Sequence, residues 1–140
     1  MIKYDQDGVR LNQTGWRDEW ISNRHRTWGF DCPATDIDFL MVEYSKREPM
    51  ALIEYKTVGS MKYLGHKKAL LDHLPVSRLA TMANLPSFIV AYDQKEILFY
   101  VKSTNPIGEA KLLVDTWRVM AEKSFVDFLY HLRGICTDEV

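Results

Sequence analysis

The chain has 140 residues, 46% of them hydrophobic and 26% charged, with a formal net charge of -1. That length can bury a core without disulfide or metal staples, and Cys32 and Cys136 lie far apart with no partner pattern. The near-neutral charge excludes a global basic field, so any nucleic-acid binding must rest on a local patch.

No run of about eighteen apolar residues exists to cross a membrane. The opening MIKYDQDGVRLNQ lacks the apolar segment of a signal peptide, so the expectation is one cytoplasmic domain over residues 1–140. His25, His66, His73 and His131 show no spacing of zinc-binding type.

A short strand is expected at Val9 to Leu11. Thr14 then caps a helix over residues 15–27, with Asp18 and Glu19 near its positive end. Glu19 lies on the same side as Trp16 and Asn23; taken alone it is a capping or solvent-facing acid. Trp16, Trp20 and Trp28 read as core rings more readily than as platforms for bases, because burying such rings contributes so much stability.

Thr35 to Thr57, TDIDFLMVEYSKREPMALIEYKT, reads as two strands around a polar turn. Strand alternation puts Asp36, Asp38 and Leu40 on one face, and Leu52, Glu54 and Lys56 together on one face of the second strand. A turn centred near Ser45 to Glu48 would set Asp38 opposite Lys56 and Leu40 opposite Glu54. Three acids and a lysine then gather at the open end of the hairpin. Apolar residues surround Glu54 and Lys56, which marks the strand as central, where a charge costs several kcal/mol unless paired or coordinated.

Beyond Lys56 the two glycines of TVGSMKYLGHKKALLDHL suggest a loop before a helix resumes. Lys62, Lys67 and Lys68, with His66, make this the most basic segment: a solvated face is the usual explanation of such a run, and its place directly after the acidic hairpin favours a phosphate-facing role. Pro75 suits a first helical turn, and Val76, Leu79, Ala80 and Ala83 hold the period through Asn84. Ser87 to Tyr92 and Glu96 to Val101 read as buried strands joined by a turn at Asp93 to Lys95. Residues 103–111 read as a loop, 116–120 as a strand, and 121–133 as a final helix with a stripe of Phe125, Phe128, Leu129 and Leu132, stopped by Gly134. The alternation predicts an α/β fold, a mixed central sheet with helices on its faces.

The acids and lysine suit a metal site. Mg²⁺ takes one or two carboxylates, keeps several waters and uses substrate phosphate for the rest. Asp38 and Glu54 would supply carboxylates, the Tyr55 carbonyl a further oxygen, and Lys56 would orient water or offset charge on the phosphorus. The competing reading is an acid pair neutralised by Lys56.

Asp38 followed by FLMVEY, and then Ala51-Leu52-Ile53-Glu54-Tyr55-Lys56, resembles the PD-(D/E)XK nuclease superfamily over roughly residues 15–102. The literal Pro-Asp pair is absent, since Pro33 abuts neither acid. The resemblance implies a restriction-endonuclease-like αβββαβ core and a Mg²⁺- or Mn²⁺-dependent endonuclease acting on nucleic acid, with DNA the expected substrate. It makes Asp38 and Glu54 metal ligands and Lys56 the catalytic lysine, and favours Asp38 over Asp36 because unbroken apolar sequence follows it. Glu19 would match an acid on the first helix, and Arg78 a basic or amide residue near the scissile phosphate. Small members often act as dimers, which adds a homodimer to the expectations. The alternatives are a catalytically inactive nucleic-acid binder of the same fold and a non-nuclease α/β protein with a structural acid–lysine network.

Overall fold

The computed structural model describes residues 19–28, 37–60 and 67–134. The chain divides into two compact units, Met1–Asp36 and Ile37–Val140. In the first, helix α1 spans Glu19–Thr27 and ends where its sequence predicts. Trp20 and Trp28 are exposed, so they are not the core rings their spacing suggested.

The second unit is α/β. Its elements are β1 (Phe39–Glu43), β2 (Glu48–Thr57), a 3-10 turn (Val58–Ser60), α2 (Lys67–Met82), β3 (Ser87–Asp93), β4 (Leu98–Ser103), α3 (Pro106–Leu112), β5 (Arg118–Ala121) and α4 (Glu122–Leu132). Among the described residues, five strands form one mixed sheet in chain order, parallel only between β2 and β3, which α2 connects. The strand expected at residues 9–11 lies outside the described residues. No described helix is long and apolar enough to cross a membrane.

Alternation along the strands divides the core in two. Ala51, Ile53, Phe88, Val90, Val101 and Met120 pack with Phe125 and Leu132 of α4, and Phe128 and Leu129 join them as their spacing predicts. On the opposite face Leu52 packs with Val76 and Ala80 of α2. The inward face of α2 is His73, Val76, Ser77 and Ala80, all buried, at i, i+3, i+4 and i+7. That corrects the expected stripe: Leu79 and Ala83 face outward. Two polar side chains share the face that apolar periodicity would have claimed.

Three further expectations are corrected. First, α2 begins at Lys67, so Pro75 lies inside the helix. Its ring deprives the Leu71 carbonyl of a helical donor, and Leu71 and Pro75 are both exposed, where water can take that role. Second, residues 106–112 are helical and not a loop. Asn105 caps α3, its side chain accepting from Gly108 N at 2.8 Å, with Pro106 at the position whose missing N–H costs nothing.

Third, the hairpin register differs from the expected one by two residues. Phe39 pairs with Ile53, Leu40 with Leu52 and Met41 with Ala51, while Val42 pairs with Pro49 and Glu43 with Glu48. Met50 is the extra residue of a β-bulge, next to a proline that has no N–H for the ladder. Carried one residue further, the ladder sets Asp38 level with Glu54, not with Lys56. Because the slip is an even number, the faces hold as predicted.

The junction of β3, β4 and α3 is tightly closed. A Cβ added to Gly108 would stand 2.7 Å from Ser87 O, 3.0 Å from Asn105 Oδ1 and 3.2 Å from Ser87 N. Helix propensity alone would make Gly108→Ala stabilising by up to about 1 kcal/mol. Overpacking against backbone reverses the sign, and we expect urea unfolding to show a loss of about 1–3 kcal/mol.

Candidate functional site

The site forms where β2 outruns β1. Leu52 N–H donates to Pro86 O, on the β3 side, at 3.0 Å. Backbone groups of successive residues point to opposite edges of a strand, so Leu52, Glu54 and Lys56 bond toward β3 while Ile53 and Tyr55 bond toward β1. But β1 starts only at Phe39. Tyr55 N–H therefore donates to the Asp38 carboxylate at 3.2 Å in place of a ladder carbonyl. The Tyr55 carbonyl, on the same edge, faces past the end of β1.

The Tyr55 ring is on the other face, edge-on to Phe39 and Phe125 at 5.0 and 6.4 Å between centroids. Burial there raises the pKa of its phenol. Tyr55 thus anchors the strand with its ring and serves the site only with its backbone.

Glu54 is half-buried and holds two partners. One oxygen accepts from Lys56 Nζ at 3.2 Å and the other from His73 Nδ1 at 2.5 Å. The His73 bond, and then the Lys56 charge, hold the Glu54 carboxyl below the usual range against the opposing cost of burial. Lys56 is 44% exposed, so its ammonium is open to solvent while paired.

Behind Glu54 lies a polar layer between α2 and the sheet. His73 Nε2 meets Thr104 Oγ1 at 3.2 Å and Ser87 Oγ at 3.4 Å. Thr104 Oγ1 donates to Ser87 Oγ at 2.7 Å, and Ser77 Oγ donates to the Thr104 carbonyl at 2.6 Å. Asn105 Oδ1 accepts from Ser87 N at 3.1 Å, and its Nδ2 donates to Leu85 O at 2.8 Å and Thr81 Oγ1 at 3.2 Å. Such polar groups are tolerated inside because their hydrogen bonds are made.

Asp38, Glu54, Lys56 and the Tyr55 backbone are therefore brought together. Arg78 is not: it is exposed and about 100° around α2 from Ser77, away from the sheet. Asp36 and Lys62, and the side chains of Glu19, Lys67 and Lys68, lie outside the described residues. His73 is the member that sequence reasoning missed. It has no zinc-type spacing to another histidine and reaches a carboxylate 19 residues away across a crossover. A sharper signal was its spacing of i+3, i+4 and i+7 to Val76, Ser77 and Ala80.

Two carboxylates and a carbonyl form an all-oxygen donor set, which fits a hard divalent cation that keeps waters and takes phosphate oxygens. No cluster of three or more His, Cys, Asp and Glu side chains of metal-binding type occurs among the described residues. No protein-family model, curated protein or solved structure matches this chain.

The depressed pKa of Glu54 sets a pH dependence. Its bonds contribute stability above the pKa of a free glutamate, about 4.3, and that stability is lost as pH falls through the lowered folded-state value. Urea unfolding of wild type and Glu54→Gln should differ most near pH 7, with the gap closing as pH falls below about 4. A gap constant with pH would show that the carboxylate charge contributes nothing.

Proposed function

We propose that the chain is a metal-dependent nuclease with a restriction-endonuclease-like core, hydrolysing phosphodiester bonds of DNA. The observation that carries this reading is the convergence of Asp38, Glu54 and Lys56 on one sheet face at the end of β1, with the Tyr55 backbone between them. The α2 crossover between parallel β2 and β3 supports the same reading of the fold.

Asp38, Glu54 and the Tyr55 carbonyl would hold Mg²⁺ or Mn²⁺. A bound ion there supplies a Lewis acid for the phosphoryl oxygens and a lowered pKa for a coordinated water. The protein's own groups do the rest. Tyr55 N–H fixes the Asp38 carboxylate through its Oδ2. Lys56, tethered to Glu54 and open to solvent, places a positive charge where the phosphate gains negative charge and can hold the attacking water in line.

The competing reading is a structural network, and the observation in its favour is that both Glu54 oxygens already have protein partners. Cleavage of plasmid and branched DNA separates the two. With Mg²⁺ the wild type should cut, and Asp38→Ala, Glu54→Ala and Lys56→Ala should each cut at least about 10²-fold more slowly. Equal rates in all four proteins would refute the nuclease reading. A steep fall in melting temperature for Lys56→Ala, without metal or DNA binding in the wild type, would establish the network instead.

A further inference from the structure

Among the described buried polar groups of the second unit, His73 has the one ring that touches the proposed site. It is 3% exposed. A carboxylate only accepts, so the Nδ1 atom facing Glu54 carries the proton whether the ring is neutral or charged. Nε2 then faces two hydroxyls that can serve as either donor or acceptor, Thr104 Oγ1 and Ser87 Oγ.

Those hydroxyls are themselves fixed. Thr104 is held through its N–H to Ser87 O at 2.9 Å and through its carbonyl by Ser77 Oγ at 2.6 Å. Ser87 is held through its N–H by Asn105 Oδ1. A continuous series of bonds runs from the cap of α3, through the start of β3, to one oxygen of Glu54.

The consequence for Glu54 is geometric. The terminal torsion of a glutamate is broad, so its carboxylate plane is set by partners and not by the side chain. With Lys56 alone, both oxygens could turn onto the ammonium. With His73 holding the second oxygen, the plane is fixed, and each oxygen keeps a lone pair free for a further ligand.

We infer that His73 is a positioning residue for the proposed nuclease site: its Nδ1–H orients the Glu54 carboxylate toward the bound cation, and Thr104 and Ser87 orient His73. This inference rests on the nuclease reading. It assigns a role to a residue on α2, in place of the one expected of Arg78.

The test uses the full chain and Mn²⁺ as the probe. His73→Leu removes the donor, His73→Asn restores an amide N–H near the Nδ1 position, and Thr104→Val removes only the far hydroxyl. Mn²⁺ affinity is read by calorimetry, and DNA cleavage is resolved into kcat and KM. Loss of an outer-shell partner costs 10–100-fold in metal affinity or activity. We expect His73→Leu to lose about 10–100-fold in Mn²⁺ affinity and in kcat with the KM for DNA unchanged, His73→Asn to recover most of both, and Thr104→Val to fall between. In the metal-free wild type, nitrogen NMR should show His73 protonated on Nδ1.

Wild-type Mn²⁺ affinity and kcat in a folded His73→Leu, beside a loss in Glu54→Gln, would overturn this inference and leave the nuclease reading intact. Should His73→Leu not fold, wild-type values in Thr104→Val, or an Nδ1 without a proton, would overturn it equally. A wild type that neither binds Mn²⁺ nor cuts DNA overturns both.

Discussion

A single extra residue in β2 decides whether the acids and the lysine of this hairpin share a face. Between the turn and the open end of the hairpin, the pairing passes from Val42 opposite Pro49 to Met41 opposite Ala51, with Met50 left over. Residues directly opposite in an antiparallel pair share a face. Continued without the bulge, the register beside the turn would set Asp38 against Ile53, on the face that packs on α4. The bulge shifts the ladder by one, and Asp38 emerges on the face of Glu54 and Lys56. Every later feature of the site depends on that parity.

The next constraint is where β1 stops. Because the strand begins at Phe39, the last stretch of β2 is paired only on its β3 side, and Tyr55 has a free backbone edge. The Asp38 carboxylate occupies the place of the missing ladder carbonyl. A strand end, which is ordinarily a loss of hydrogen bonding, here turns into a rigid mount for an acid. The opposite edge of β2 is laddered to β3 from Leu52 to Thr57, so Glu54 and Lys56 project from a backbone paired to its neighbour. Rigid support of this kind is what a site needs to hold charged groups in one geometry.

The two faces of the sheet are built on different principles. Toward α4 the contact is apolar and aromatic, with Phe99 and Phe125 stacked at 4.5 Å. Toward α2 the apolar contact is small, Leu52 with Val76 and Ala80, and gives way to His73, Ser77, Ser87, Thr104 and Asn105. A polar layer contributes less net stability than apolar packing, since each bond replaces one to water. Its advantage is direction. Hydrogen bonds set orientation in a way that apolar contact does not, and the Glu54 carboxylate is the group oriented.

Much of this was readable from residues alone. The alternation in Asp38-Phe-Leu-Met-Val and in Leu52-Ile-Glu-Tyr-Lys set which residues share a face within each strand, Asp38 with Leu40 and Glu54 with Lys56, because side-chain direction in a strand follows from period two. The strand at β3 and the stripe of α4 followed from burial and period in the same local way, whereas the strand expected over Glu96 to Val101 runs instead over Leu98–Ser103 and is mostly half-buried. The pair Asn105-Pro106 carried a helix-start signal, but a helix of seven residues is too short to announce itself by period. What sequence could not determine is whatever depends on distance across the fold. The register turned on a bulge whose position rests on Pro49 and on the packing of both strands. The role of His73 turned on a crossover that brings α2 over Glu54. Sequence therefore specified which groups of one element face the same way; only tertiary structure decided which faces of different elements coincide and which groups touch, because contact between distant residues is set by the packing of whole elements and not by any local pattern.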